Sequence, residues 1–210
     1  MNSQQTRWLL VLVLVCFFAT AWGDVYFWTD EQGIKHFSNI GPAEDFETDL
    51  FQEEKRLEQA QREGRTFKVT KVYDGDTILV KGEDLELKIR LAGIDSPETG
   101  TRSKKGQPYS REAKAKLTRL VKGKDVSLQS HGIGGFNRVL AEVFSGSVNV
   151  NLEMIKAGLA EVYQGRKPDT LDLGPYLREE KKARTAGMGM WALGRHYQSP
   201  KTWRREHPRK

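Results

Sequence analysis

Between Leu85 and Leu91 the chain reads Leu, Glu, Leu, Lys, Ile, Arg, Leu, the two-residue period of a strand with one face buried and the other wet. This stretch belongs in a sheet, and Arg90 leaves its apolar face. The run Asp76 to Lys81 before it is also β-rich, and Gly82-Glu83-Asp84 between them is a short polar connection that favours an antiparallel hairpin. Antiparallel pairing returns the end of the second strand to the start of the first. It therefore sets Asp76 beside Asp95, and Pro97 stiffens the turn that carries Asp95 and Glu98. Four carboxylates (Asp74, Asp76, Asp95, Glu98) and the Arg90 guanidinium can thus converge at one sheet edge, a mixture suited to a metal ion facing a phosphate.

The rest of residues 65–195 supplies a domain around this hairpin. Phe67 to Tyr73 is a strand ending in the Asp74-Gly75 turn, Val126 and Leu128 mark a fourth strand, and Val139 to Phe144 a fifth. The glycine-rich segment His131 to Gly135 reads as the loop between those two. Residues 108–122 form a helix capped by Ser110, with Ala113, Leu117, Leu120 and Val121 on one apolar stripe and Gly123 as its stop. A second helix covers 151–157, Leu159 to Tyr163 is strand-like, and a third helix covers 175–185. Five strands, with a helix after the third and more after the fifth, suit an α+β fold: a five-stranded Greek-key barrel of the oligonucleotide-binding type with three helices. Residues 196–210 read as a basic tail, mobile from Lys201 onward.

The N-terminal third is different in kind. Arg7 precedes an apolar run from Trp8 to about Ala21, and Ala21-Trp22-Gly23 offers small residues for cleavage, so residues 1–23 read as a signal peptide. The run is short for a membrane span, and a retained anchor facing the periplasm is the alternative. Cys16 is the single cysteine and leaves with the signal, so the mature chain folds without disulfides and forms no disulfide-linked partner. Residues 24–43 hold two aromatic-rich runs around Asp30-Glu31-Gln32-Gly33, a hairpin signature with His36 as its one distinctive polar residue. The hairpin resembles a small N-terminal module of unknown function found on exported proteins of Gram-negative bacteria. Residues 44–64 read as a linker helix with Phe46, Leu50 and Leu57 at helical spacing.

Charge separates the two parts. Residues 24–63 carry eleven acids and four bases, whereas residues 64–210 carry a net +12. The larger part is built for an anionic partner, either nucleic acid or an anionic membrane surface. A zinc site finds no support, since His36, His131, His196 and His207 are dispersed and no cysteine survives processing. Nor is there a glycine-rich phosphate loop followed by lysine and a hydroxyl.

Hydrolysis of a phosphodiester brings an oxygen nucleophile to a centre guarded by negative oxygens, so it calls for a hard cation, guanidinium clamps and a carboxylate that activates water. Asp76 and Asp95 are candidate ligands for calcium or magnesium, Glu98 is the candidate base, and Arg90 and Arg138 are candidate clamps. Taken singly each signal is weak: Asp74-Gly75 is often only a turn, and Asp95 to Glu98 could be a solvated loop. Together, over residues 66–191, the motifs VYDGDT (72–77), IRLAGIDSPE (89–98), NRVLA (137–141) and MIKAGLAEVY (154–163) resemble the staphylococcal nuclease family in order and spacing.

That resemblance implies a calcium-dependent endonuclease that cleaves DNA and RNA and leaves 3′-phosphates, while the leader in residues 1–23 points to a secreted or periplasmic protein, expected to be a monomer. By the same resemblance Asp76, Asp95 and the Ser96 carbonyl correspond to the calcium ligands and Glu98 to the general base. Arg90 and Arg138 correspond to the two phosphate-binding arginines, and Asp74 to a nearby supporting acid. Phe136 and Tyr163 fall in the substrate pocket. Phe136 keeps an aromatic ring where the family has tyrosine but lacks its hydroxyl, Asn137 replaces a glycine, and Gln164 and Arg166 stand where the family has tyrosines. These departures bear on base preference and rate more than on activity. The competing readings are a non-catalytic nucleic-acid-binding barrel, which the joint presence of Asp76, Asp95, Glu98, Arg90 and Arg138 argues against, and an envelope interaction protein led by the 24–43 hairpin.

Overall fold

The computed structural model describes residues 26–29, 35–38, 44–83, 85–101, 104–135 and 138–208, with the backbone element alone for the first two segments and for 44–50. The chain forms two compact units, residues 1–48 and 49–210. In the first, β1 (Tyr26–Thr29) and β2 (Lys35–Ser38) pair antiparallel, with Phe27 opposite Phe37. The expected signal segment with Cys16 and the turn expected at Asp30 to Gly33 lie outside the described residues.

The helix α1 (Glu44–Arg62) runs into the second unit, where Leu57 and Ala60 are buried in the main core. Its C-terminal half is a wall of the domain rather than a linker. The reason lies in the spacing: Leu57 and Ala60 are three residues apart on one helical face.

The barrel follows from alternation. β3 (Phe67–Val72), β4 (Thr77–Lys81), β5 (Glu86–Leu91), β7 (Asp125–Gly134) and β8 (Arg138–Ser145) stand in the order β5-β4-β3-β7-β8, and a parallel pairing of β5 with β8 closes the ring. In β5, Leu87, Ile89 and Leu91 are buried between Glu86, Lys88 and Arg90; in β8, Val139, Ala141 and Val143 are buried between Arg138, Leu140 and Glu142. The interior is sealed by Ala113, Leu117 and Val121 of α2 (Ser110–Val121) and by Val150, Met154 and Ile155 of α3 (Val150–Lys156). Outside the barrel, the two-residue β6 (Ile94–Asp95) pairs with β10 (Glu161–Val162), which sets Asp95 opposite Glu161. β9 (Val148–Asn149) folds back on β8, α4 (Gly174–Thr185) adds the buried Tyr176, a 3-10 helix covers Gly189–His196, and α5 (Pro200–Glu206) ends the fold.

One buried side chain ties these layers together. Asn151, wholly buried on α3, donates through Nδ2 to the carbonyls of Ala92 (2.9 Å) and Ala141 (3.2 Å), and its Oδ1 accepts the Val143 N–H (3.0 Å). It fixes β8 against the turn that leads into Asp95.

Four local expectations are corrected. Ser110 is the first residue of α2 rather than its cap; Tyr109 takes the N-cap position at φ 66°, and the Ser110 N–H is already met by the Gln107 carbonyl at 3.1 Å. The segment His131 to Gly134 is strand, not loop, because a bulge between Ser130 and Ile133 lets β7 continue. His131 is buried there, with Nδ1 2.9 Å from Thr170 Oγ1 and Nε2 3.0 Å from Glu142 Oε2. Only Glu161 and Val162 of the expected 159–163 strand pair, since β6 offers them two partners. Residues 201–206, expected to belong to a mobile tail, lie in α5: Ser199 caps it by accepting the Thr202 N–H at 3.1 Å, and Pro200 begins it.

Candidate active site

Asp76 is held before any ligand arrives. Its backbone N–H bonds Asp74 Oδ1 (3.0 Å) and its carbonyl accepts the Leu91 N–H (2.8 Å), so the Asp74-Gly75 turn and the start of β4 are fixed against β5. Its Oδ2 accepts the Ser96 N–H at 2.8 Å and Oδ1 the Thr77 hydroxyl at 3.0 Å. Gly75 is required here by close approach: a Cβ would lie 2.7 Å from the Cβ atoms of both Ala113 and Ser96.

Arg90 joins the two ends of the hairpin. It sits opposite Thr77 in the β4–β5 register, its Nη1 pairs with Asp76 Oδ1, and its Nη2 donates to Asp95 Oδ1 at 2.9 Å. Asp76 and Asp95 are buried (5% and 0% exposed), so this guanidinium is what allows two ions to stay in the interior. Burial alone would raise the Asp76 pKa, but the charge and hydrogen bond of Arg90, with the Ser96 N–H, hold the carboxyl below its ordinary range. Burial followed by the Asp76 charge pushes Asp74 up to about 7.

Glu98 is positioned through its backbone: its N–H donates to Gln107 Oε1 (3.0 Å) and its carbonyl accepts the Gln107 N–H (2.9 Å). Its carboxylate meets a residue the sequence did not single out. Arg204 of α5 donates from Nη1 to Glu98 Oε1 (2.7 Å) and Asp95 Oδ1 (2.9 Å), and from Nη2 to Asp95 Oδ2 (2.7 Å). Gln107 was also missed; it is buried, and its Nε2 reaches the Gln198 carbonyl at 2.7 Å, joining the Glu98 loop to the start of α5. The Ser199-Pro200 pair, a cap followed by proline at the first helical turn, is the signal that could have revealed α5.

The structure therefore brings Asp74, Asp76, Arg90, Asp95, Ser96 and Glu98 together. Arg138 stands to one side of this cluster, its Nε donating to the Gly135 carbonyl at 2.9 Å, and burial together with the nearby Arg90 charge lowers its pKa. Arg90, Arg138, Tyr163, Arg166 and Lys167 line one cavity of about 440 Å³, an opening with four cationic side chains and one aromatic ring. Phe136 and Asn137 lie outside the described residues.

The donor chemistry fits a hard divalent cation. Asp76 and Asp95 offer carboxylate oxygen, Glu98 stands beside them, and no nitrogen or sulfur ligand is among them. Among the described residues no group of three or more His, Cys, Asp or Glu closes into a metal cage, so an ion here would complete its shell with backbone, water or phosphate oxygen.

A closed barrel with a buried carboxylate pair, bridged by arginine and opening on a cationic cavity, defines a protein of the oligonucleotide-binding fold equipped for phosphate chemistry. Residues 88–193 match the model of the staphylococcal nuclease homologues, and the chain belongs to that family. It is 37% identical over 152 residues to an "Uncharacterized endonuclease" of Haemophilus influenzae, covering 71% of this chain and 79% of that one. It is 36% identical over 135 residues to "Probable endonuclease LCL3" of Candida albicans, covering 60% of this chain and 57% of the relative, so here it spans little over half of the other protein.

Proposed function

We propose that the protein is an exported, calcium-dependent endonuclease that hydrolyses phosphodiester bonds of DNA and RNA and leaves 3′-phosphates. The observation that carries this reading is the Arg90 bridge between buried Asp76 and Asp95, with Glu98 beside them and the cationic cavity in front. Asp76, Asp95 and the Ser96 carbonyl would hold calcium, which when bound supplies charge neutralisation at the phosphate and a more acidic water.

The side chains divide the remaining work. Arg90 spends two of its N–H donors on Asp76 and Asp95, leaving others for a phosphate oxygen in the cavity it shares with Arg138. Two guanidiniums at one phosphate offset the charge that builds as the nucleophile arrives. Glu98, fixed through Gln107, accepts a proton from the attacking water. Tyr163 offers a ring for a base to stack on, and Arg166 and Lys167 attract neighbouring phosphates.

Export rests on the leader-like residues 1–23 and on a mature chain without cysteine. Among the described residues no helix is long and apolar enough to cross a membrane.

The test uses protein beginning at Asp24 with single-stranded DNA and RNA, in calcium, in magnesium and with chelator. Calcium-dependent cleavage leaving 3′-phosphate ends is expected, with turnover reduced about 10²- to 10⁴-fold in Glu98→Gln. Cleavage that persists unchanged in chelator and in the variant would refute the reading, and salt-sensitive binding without cleavage would favour the non-catalytic barrel.

A further inference from the structure

The helix α5 lies beyond the 88–193 segment that carries the family match, yet it delivers a guanidinium onto the central carboxylates. The Arg204 fork takes both oxygens of Asp95, at 2.9 and 2.7 Å, and reaches Glu98 Oε1 at 2.7 Å. Arg90 is already on Asp95 Oδ1 and on Asp76. A planar fork on a carboxylate is a strong and directional contact, so Arg204 holds the face of Asp95 that Arg90 leaves open.

Apart from that fork, α5 is held by few contacts. Pro200 is its one buried residue, and the half-buried Trp203 stacks on His207 of the same segment, with ring centroids 4.0 Å apart. An open cavity of about 530 Å³, lined by Glu161, Tyr197, Lys201, Thr202 and Arg205 among others, lies beside the helix. The tethers at its two ends are the Gln107 amide on the Gln198 carbonyl (2.7 Å) and Lys104 Nζ on the Pro208 carbonyl (2.5 Å). An element with so little apolar burial opens at low cost.

We propose that Arg204 is an exchangeable counter-cation of the catalytic centre: it and a divalent ion exclude each other at Asp95 and Glu98, so metal binding releases α5 and docking of α5 opposes the metal. The proposal rests on the nuclease reading above. A guanidinium on both oxygens of one carboxylate and a divalent ion on the same group repel at contact distance. The coupling is reciprocal: the factor by which docked α5 weakens metal binding is the factor by which metal weakens docking.

The test titrates calcium calorimetrically into the whole chain, into Arg204→Ala and Arg204→Lys, and into Arg205→Ala as a control, since the exposed Arg205 pairs with Glu206 rather than with Asp95 or Glu98. Arg204→Ala is expected to bind calcium roughly ten-fold or more tightly than wild type, Arg204→Lys to fall between them, and Arg205→Ala to match wild type. A second measurement needs no variant. Saturating calcium is expected to speed trypsin cleavage of wild type at Lys201, Arg204 and Arg205 by a comparable factor. Equal or weaker calcium affinity in a folded Arg204→Ala, or tryptic cleavage of α5 that ignores calcium, overturns the proposal. DNA cleavage by the same samples separates the two readings. If wild type cleaves with calcium but Arg204→Ala shows no gain in affinity, the exchange alone fails. If wild type neither binds calcium nor cleaves, the nuclease reading fails with it.

Discussion

Glu161 on β10 faces Asp95 across the two-stranded ladder and is almost wholly buried (1% exposed). Tyr197 donates its hydroxyl to Oε2, whereas Oε1 has no hydrogen-bond partner among the described residues. Burial pushes this carboxyl up to about 7; the Tyr197 hydrogen bond opposes that shift, and the Asp95 charge adds to it. In the unfolded chain the group titrates near 4.5. Between those two values the folded protein keeps a proton that the unfolded chain has released, so stability falls as pH rises through that window and the loss is complete above about 7. A separation of that size corresponds to about 3 kcal/mol. Glutamine has the shape of the protonated acid and no charge to desolvate. Glu161→Gln is therefore expected to match wild type below the window and to be about 3 kcal/mol more stable at pH 8, a rise in Tm of roughly 6–12 °C for a domain of this size. Urea unfolding of both proteins at pH 4 and pH 8 reads the difference, with shifts common to both proteins cancelling. The same stability gap at both pH values, or a variant less stable at pH 8, would refute the assignment of that buried charge.

Two further substitutions probe how the hairpin and its support are held. Arg90→Lys keeps a charge but cannot bond Asp76 and Asp95 together, so turnover is expected to drop about 10²-fold, and wild-type rates would count against phosphate clamping. Asn151→Ala removes partners from the Val143 N–H and the Ala92 carbonyl and is expected to cost about 2–5 kcal/mol in urea unfolding, whereas a loss below about 1 kcal/mol would show that water replaces the amide.

The barrel was legible because its strands announce themselves: the alternation in 85–91 fixed which face of β5 is buried and therefore where Arg90 points. The convergence of Asp76 with Asp95 followed from hairpin geometry alone, since Arg90 is the residue an antiparallel pair places opposite Thr77. Contacts that depend on distant chain segments were not legible. His131 looked like a loop residue because its glycines mask a strand bulge, and its partners Glu142 and Thr170 arrive from elsewhere in the fold. Leu57 was legible as part of a weak apolar stripe turned toward its own domain, whereas nothing in the charge-rich helix marked Ala60 as part of the core. Arg204 was hidden among basic neighbours at the chain end, where composition suggests a tail; the partners that define its role are more than a hundred residues away.

Arg204 also changes how the centre should be understood energetically. Asp95 is wholly buried, and a buried ion persists only when its charge is met. Arg90 meets one oxygen, so the cation on the other oxygen contributes to folding. If that second cation is exchangeable, stability and metal affinity are two readings of one equilibrium. An Arg204→Ala protein without metal then carries an under-compensated Asp95 and loses stability, and calcium restores it by binding the folded state alone. A residue that served only to anchor α5 would lose stability to the same extent with or without calcium. The difference between those two melting behaviours therefore distinguishes a counter-ion from a strut.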